Sequence, residues 1–132
     1  MIILLLKIIS FGFLVNLGWE VPHSLLYTTC HQIPLKKYVP LILNMSAKDG
    51  FFIALFYSLT VLLWRNWQIL QNSYQLGCFI LIALSFAFID ERISTAKKRW
   101  EYAPAMPRVF GVGLTPFLEI AVTGVLTFLL IF

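Results

Sequence analysis

Four apolar runs separated by short polar connections constrain this chain more than any other feature. They open near Ile2, Gly50, Tyr74 and Leu114, and the last reaches Phe132. A helix that crosses a bilayer takes about 20 residues. The first and fourth runs have that length, and the second and third approach it by extension at their ends. Of the 132 residues, 60% are hydrophobic and only 12% charged, against about 25% charged in an ordinary soluble domain. A soluble globule this small lacks the interior to hide so much apolar surface, so lipid is the expected neighbour. The reading is an all-α fold, a polytopic transmembrane four-helix bundle forming one domain over 1–132. Its helices are expected at about 2–28, 49–67, 73–91 and 114–132, joined by basic loops at 29–48 and 92–113.

Charge placement orients the bundle. Lys36, Lys37 and Lys48 fall in the first connection and Arg92, Lys97, Lys98, Arg99 and Arg108 in the third, whereas the second holds only Arg65. The positive-inside rule places the first and third loops in the cytoplasm and both termini on the non-cytoplasmic side. That predicts a multi-pass protein of the cell's inner (cytoplasmic) membrane. The net charge of +4 is spread over loops between apolar runs, so it marks topology and membrane lipids as partners, not nucleic acid. No small-x-small cleavage site follows the first run, where Trp19, Glu20, Val21 and Pro22 come next, so it reads as a retained helix. Cys30 and Cys78 fall at opposite membrane faces and are expected to be free thiols.

The first run carries the most informative pattern. Asn16, Glu20, His23 and Tyr27 are spaced to share one face of an α-helix, with Trp19 and Ser24 beside them and Pro22 placed to bend or end the helix. A carboxylate at the bilayer centre costs roughly 2.5–3.5 kcal/mol on insertion scales, so this stripe should face the interior. Ser46 or Asp49 can cap the second helix. Asp49, Asp90, Glu91, Glu101 and Glu119 join Glu20 at one membrane face, which gathers all six acidic residues of the chain. On the fourth helix Thr115, Glu119, Thr123 and Thr127 recur every fourth residue, and with Gly124 they mark a packing face. Asp90, Glu91 and Arg92 also fit ordinary solvated end residues, and Glu20 with His23 a simple hydrogen-bonded pair. Lys97, Lys98 and Arg99 beside Trp100 and Tyr102 suit an anionic headgroup surface. Pro104, Pro107, Gly111, Gly113 and Pro116 predict a turning or re-entrant segment. With no second buried His at ligand spacing, neither metal nor cofactor is expected.

Intramembrane carboxylates point to function. The candidate catalytic residues are Glu20, His23, Glu119 and Asp90. The candidate substrate-binding residues are Asn16, Trp19, Tyr27, Asp49, Trp100, Tyr102 and Arg108. One expectation is acid–base chemistry on a lipid or isoprenoid, with Glu20 or Glu119 as the acid, His23 as relay or base, and Trp19, Trp100 and Tyr102 shielding a cation. A second is an oligomeric ion or proton transporter component. A third is an assembly or binding subunit of a larger membrane complex.

Two stretches carry resemblances. Asn16-x-x-Trp19-Glu20-x-x-His23-Ser24-x-Leu26-Tyr27, and Trp100-x-Tyr102-x-x-x-Met106-Pro107 followed by Gly111-x-Gly113-Leu114-x-Pro116, resemble a group of small, poorly characterised prokaryotic four-helix membrane proteins. That resemblance implies the topology more than an activity. Asp90, Trp100, Tyr102, Gly111, Pro116 and Glu119 also fall in an order similar to that of membrane-embedded lycopene cyclases of the heterodimeric type. This resemblance implies protonation chemistry on a carotenoid. The chain departs from that family's Pro-x-Glu-Glu motif in having Pro116-Phe117-Leu118-Glu119, with one carboxylate in place of a pair.

Overall fold

The computed structural model describes residues 1–132 and is built from five α-helices and a hairpin of two two-residue strands. Helix α1 spans Ile2–His23 and ends where Pro22 removes a backbone donor; a single 3-10 turn, Ser24–Leu26, follows. Only Ile8, Gly12, Asn16, Glu20 and His23 of α1 are buried. They step by four, four, four and three residues, one stripe of the helix. The other faces present Ile3, Leu6, Phe11, Leu14 and Val21 outward. A helix apolar on its outward faces and polar on its buried one has the pattern of a lipid-exposed segment turned inside out relative to soluble proteins.

The short helix α2, Thr28–His31, leads to α3, Leu35–Trp64. Here the expected helix at 49–67 and loop at 29–48 are corrected, because α3 begins at Leu35. Pro34, extended at φ −66° and ψ 153°, sits just before it, and Pro40 is accommodated inside the helix at the expense of one backbone bond. Ile42 and Ser46 of this added stretch are buried. Ser46 and Asp49 are therefore not caps. The Ser46 hydroxyl donates back to the Ile42 carbonyl at 2.8 Å, and Asp49 lies mid-helix and buried.

Helix α3 stops at Arg65, which adopts the left-handed conformation (φ 50°). Helix α4, Ser73–Ala96, starts at Asn72, whose side-chain oxygen accepts from the Tyr74 and Gln75 amides, an N-cap. It runs past the expected end at 91 to Ala96. Helix α5 is Leu114–Ile131. The segments Ile2–Leu26, Leu35–Trp64 and Leu114–Ile131 are long and apolar enough to cross a membrane.

Helix α1 packs chiefly on α3 and α5, and α4 on α5 and α3. The α1–α3 crossing is set by glycine. A Cβ on Gly50 would stand 2.8 Å from the Phe13 amide nitrogen and 2.9 Å from the Ile9 carbonyl oxygen, so only hydrogen fits between the two backbones. An apolar core of Ile8, Ile53, Tyr57, Phe79 and Phe128 fills the half of the molecule near the α3–α4 connection. On α5, Glu119, Thr123 and Thr127 are buried together, as the four-residue spacing predicted, with each threonine hydroxyl bonded to the carbonyl one turn back.

The third connection is folded. Strands β1, Arg108–Val109, and β2, Val112–Gly113, pair antiparallel through a turn in which Phe110 and Gly111 both take positive φ. Tyr27 and Tyr102 form a bridge, the Ala103 amide bonds the Leu26 carbonyl at 2.8 Å, and the Thr28 amide bonds the Glu101 carbonyl at 3.1 Å. The first and third connections thus close the same end of the molecule. Cys30 and Cys78 are both free.

Candidate functional site

At that closed end, α1 and α5 place three buried ionisable groups together. His23 Nδ1 lies 3.5 Å from Glu20 Oε2 and 3.5 Å from Glu119 Oε2. Glu20 and His23 meet because they sit three residues apart on one helix. Glu119 arrives from the second turn of α5, a pairing that no local spacing encodes. Each of the three is no more than 6% exposed. Neither contact has hydrogen-bond geometry, and Glu20 Oε1, Glu119 Oε1 and both ring nitrogens of His23 have no partner in the protein. No Lys or Arg pairs with either carboxylate. A structural ion pair would supply such a cation.

The remaining expected residues divide into those drawn to this centre and those that are not. Asn16 is fully buried one turn below Glu20; its amide nitrogen donates to the Gly12 carbonyl at 2.8 Å and its Oδ1 is unpartnered. Trp19 stands edge-on to His23 with ring centroids 6.2 Å apart. Tyr27 reaches the centre by a route different from the expected helical one. It lies beyond the end of α1 in extended backbone, held by its bridge to Tyr102, and packs edge-on to His23 at 5.1 Å. Asp49, Asp90, Trp100 and Glu119 line a narrow cleft between α3, α4 and α5.

Trp100 and Tyr102 hold a carboxylate in place. Trp100 Nε1 donates to Glu91 Oε2 at 3.2 Å and the Tyr102 hydroxyl donates to the same oxygen at 2.5 Å. Glu91, missed as a candidate, is the buried member of the Asp90–Glu91 pair, while Asp90 is half-buried. A signal was present, because Phe79, Ala83, Ala87 and Glu91 step by four along the buried face of α4. Burial, then the bond to Glu91, pushes the Tyr102 phenol up. Arg108 is not brought to the centre; it is exposed and its guanidinium lies 5.3 Å from the Tyr102 ring centroid, a cation–π contact.

Two cavities meet at His23. One, of about 190 Å³, lies under the folded connections and is lined by Glu20, His23, Tyr27, Glu91, Arg99 and Glu119, among others. The other, of about 430 Å³, is an apolar groove between α1 and α5, lined by Val15, Gly18, Trp19, Pro22, His23, Leu26, Thr115 and Leu126. Cys30, also at the wall of the first cavity, has its thiol pushed up by burial and, secondarily, by the Glu20 carboxylate.

The ligand atoms of Glu20, His23 and Glu119 lie within 4.8 Å of one another, close enough to hold a metal ion. One element that usually orients a metal-bound histidine is absent. A metal-bound histidine donates its other ring N–H to a carboxylate or carbonyl, and His23 Nε2 has no such acceptor. What the arrangement offers chemically is a buried imidazole in reach of two carboxyls, with the Trp19 and Tyr27 rings packed against it. No protein-family model matches the chain, and no curated protein or solved structure is significantly similar to it.

Proposed function

We propose that this chain is a membrane-embedded acid–base enzyme that moves a proton onto and off an unsaturated lipid or isoprenoid. The observation that carries the reading is His23 suspended between Glu20 and Glu119, all three buried and none paired with Lys or Arg. Carboxyls that share a dry site hold protons between them, because adjacent like charges repel strongly in a low dielectric. One protonated glutamate adds its proton to a carbon–carbon double bond. The electron pair of that bond forms the new C–H bond, leaving a carbocation on the neighbouring carbon. Trp19, Tyr27 and Trp100 offer π faces to that cation. A base, His23 or the second glutamate, then removes a proton from an adjacent carbon and restores a double bond at a new position or in a ring. Where His23 is the base it passes that proton back to the donating glutamate, so the proton count of the three groups together is unchanged over the cycle.

The membrane setting belongs to the same proposal. Helix α4 has 24 residues, about 36 Å at 1.5 Å per residue, and exposes Leu81 and Ile89, so it serves as the fourth crossing. The lysines and arginines other than Lys7 and Arg65 lie toward the connection side, which supports a reading with that end in the cytoplasm and both termini outside, in the inner membrane. The order of Trp100, Tyr102, Pro116 and Glu119 resembles that of heterodimeric-type lycopene cyclases, with the departure that this chain has only Glu119 where that family has a carboxylate pair.

The test compares the lipids of membranes carrying the native chain, Glu20→Gln, Glu119→Gln or no copy. A lipid conversion present only with the native chain, lost in both folded variants, is the expected result. Conversion that persists in both variants removes the proposal. One observation favours a second reading, an oligomeric proton-conducting component: Asp49, Asp90, Glu91 and Glu119 continue the line of carboxyls across to the α3–α4 side. Proton flux into liposomes, absent from the first reading, separates the two.

A further inference from the structure

The groove and the polar cavity share a single wall residue on the reaction centre, His23. We infer that the substrate of the proposed reaction, on which this inference rests, is a long-chain amphiphile with an uncharged hydrogen-bonding head, such as a prenyl alcohol. Its chain lies in the α1–α5 groove and its head passes His23 into the cavity beneath Arg99.

Three features define this class. The groove walls are almost wholly apolar, lined by Val15, Pro22, Leu26 and Leu126 with the exposed Gly18 among them. A Cβ built on Gly18 meets nothing within 4 Å, so the missing side chain creates room that the protein itself does not use. Trp19 Nε1 is buried without a partner beside the same groove. A volume of about 430 Å³ falls within the roughly 300–1,000 Å³ of small-ligand pockets, and the groove runs along helices with outward lipid-facing residues, so a chain reaches it sideways from the bilayer.

The head is specified by the cavity's charge. Glu20, Glu91 and Glu119 line it, and no Lys or Arg pairs with any of them. A phosphate or carboxylate head would bring a further negative charge among acidic groups with no paired cation, an unfavourable balance at low dielectric. A hydroxyl gains from the same surroundings, since it donates to a carboxylate and accepts from a protonated carboxyl or from the Tyr27 hydroxyl. A pure hydrocarbon would leave those buried groups without partners, which is costly. The double bond nearest the head of such a molecule then lies beside His23.

Photo-crosslinking tests this without requiring turnover. A C20 prenol with a diazirine at its distal end is added to the full chain in lipid nanodiscs, alongside the matching prenyl phosphate and the matching hydrocarbon. The expected result is labelling on Val15, Leu26 or Leu126, at least tenfold stronger for the alcohol than for either analogue. Gly18→Trp, which fills open space and leaves the centre intact, should reduce it at least tenfold, while Gly77→Ala, equally open but on α4 outside the groove, should retain it. Equal labelling by the phosphate, or labelling unchanged in Gly18→Trp, overturns the inference. Groove-specific labelling with conversion that is indifferent to Glu20 and Glu119 would instead sink the acid–base reading alone. Conversion dependent on both glutamates with no groove labelling would sink only the substrate class.

Discussion

The Tyr102 hydroxyl donates to Glu91 and thereby ties the folded connection after α4 to the buried face of α4 itself. Trp100 Nε1 bonds the same carboxylate oxygen, so two aromatic residues of one connection converge on one carboxyl. A bond to a charged group contributes about 1.5–3 kcal/mol, and an acceptor stripped of a partner keeps its desolvation cost. Tyr102→Phe is therefore expected to lower thermal stability in detergent by about 1–3 kcal/mol. It should also speed tryptic cleavage at Lys97 and Lys98, because the connection loses its anchor. An unaltered melting temperature and cleavage rate would mean the contact holds nothing in place.

The α1–α3 crossing makes a sharper prediction, because two glycines of similar helical setting should respond in opposite directions. At Gly50 an added methyl group meets backbone atoms of Phe13 and Ile9 that cannot rotate away. Overpacking of this kind costs about 1–3 kcal/mol. At Gly18 the methyl meets nothing, and replacing a helical glycine by alanine stabilises by roughly 0.5–1 kcal/mol. Thermal unfolding of Gly50→Ala and Gly18→Ala should show the first below the native protein and the second at or above it. Because Asn16 and Glu20 follow Gly12 on one α1 face, Gly50→Ala should also displace Glu20 and weaken lipid conversion.

These two glycines show where the sequence is informative and where it falls silent. The α1 stripe of Asn16, Glu20 and His23 was legible because helical periodicity is local, and the apolar runs were legible because a bilayer demands length. The start of α3 was not. Pro34, Pro40, Lys36 and Lys37 have the local chemistry of a loop, yet Ile42 and Ser46 find packing partners that carry the helix back to Leu35. Tyr27 lies beside His23 through its bridge to Tyr102 and not through the helix phase that the spacing suggests. Asp90 and Glu91 differ by one position, or 100° of helix rotation, and only the packing of Ala83 and Ala87 decides which turns inward. Arg108 lies outside the centre because the hairpin that carries it reverses at Phe110 and Gly111, a turn set by conformation that its local sequence does not reveal.

Cys30 reports on the charge of Glu20. Burial is the larger cause of its raised thiol pKa and the Glu20 carboxylate the smaller. A thiol raised above its ordinary value is mostly protonated at neutral pH, and the thiolate is the nucleophile. In a Cys78→Ser background, alkylation of Cys30 should therefore be slow at pH 7 and accelerate up to about tenfold per pH unit below its pKa. Glu20→Gln removes the smaller cause and should raise the rate at fixed pH by about twofold, with burial still dominant. A rate that does not change would mean that burial alone sets the Cys30 thiol.

The last prediction concerns the alternative use of the same three side chains. Glu20, His23 and Glu119 offer ligand atoms close enough for a divalent cation, and such a cation would convert the centre from proton exchange to Lewis-acid chemistry. A stable site of that kind needs outer partners that orient the ligands, and losing one typically costs 10–100-fold in affinity. Here His23 Nε2, Glu20 Oε1 and Glu119 Oε1 have no protein partners, so binding should be weak. Protein purified without chelator is expected to carry well under one equivalent of zinc, manganese or iron by elemental analysis. Treatment with a chelator should leave both melting temperature and lipid conversion unchanged. One tightly held equivalent, lost together from Glu20→Gln and His23→Gln and required for conversion, would assign the centre to a metal and reassign its carboxyls from proton donors to ligands.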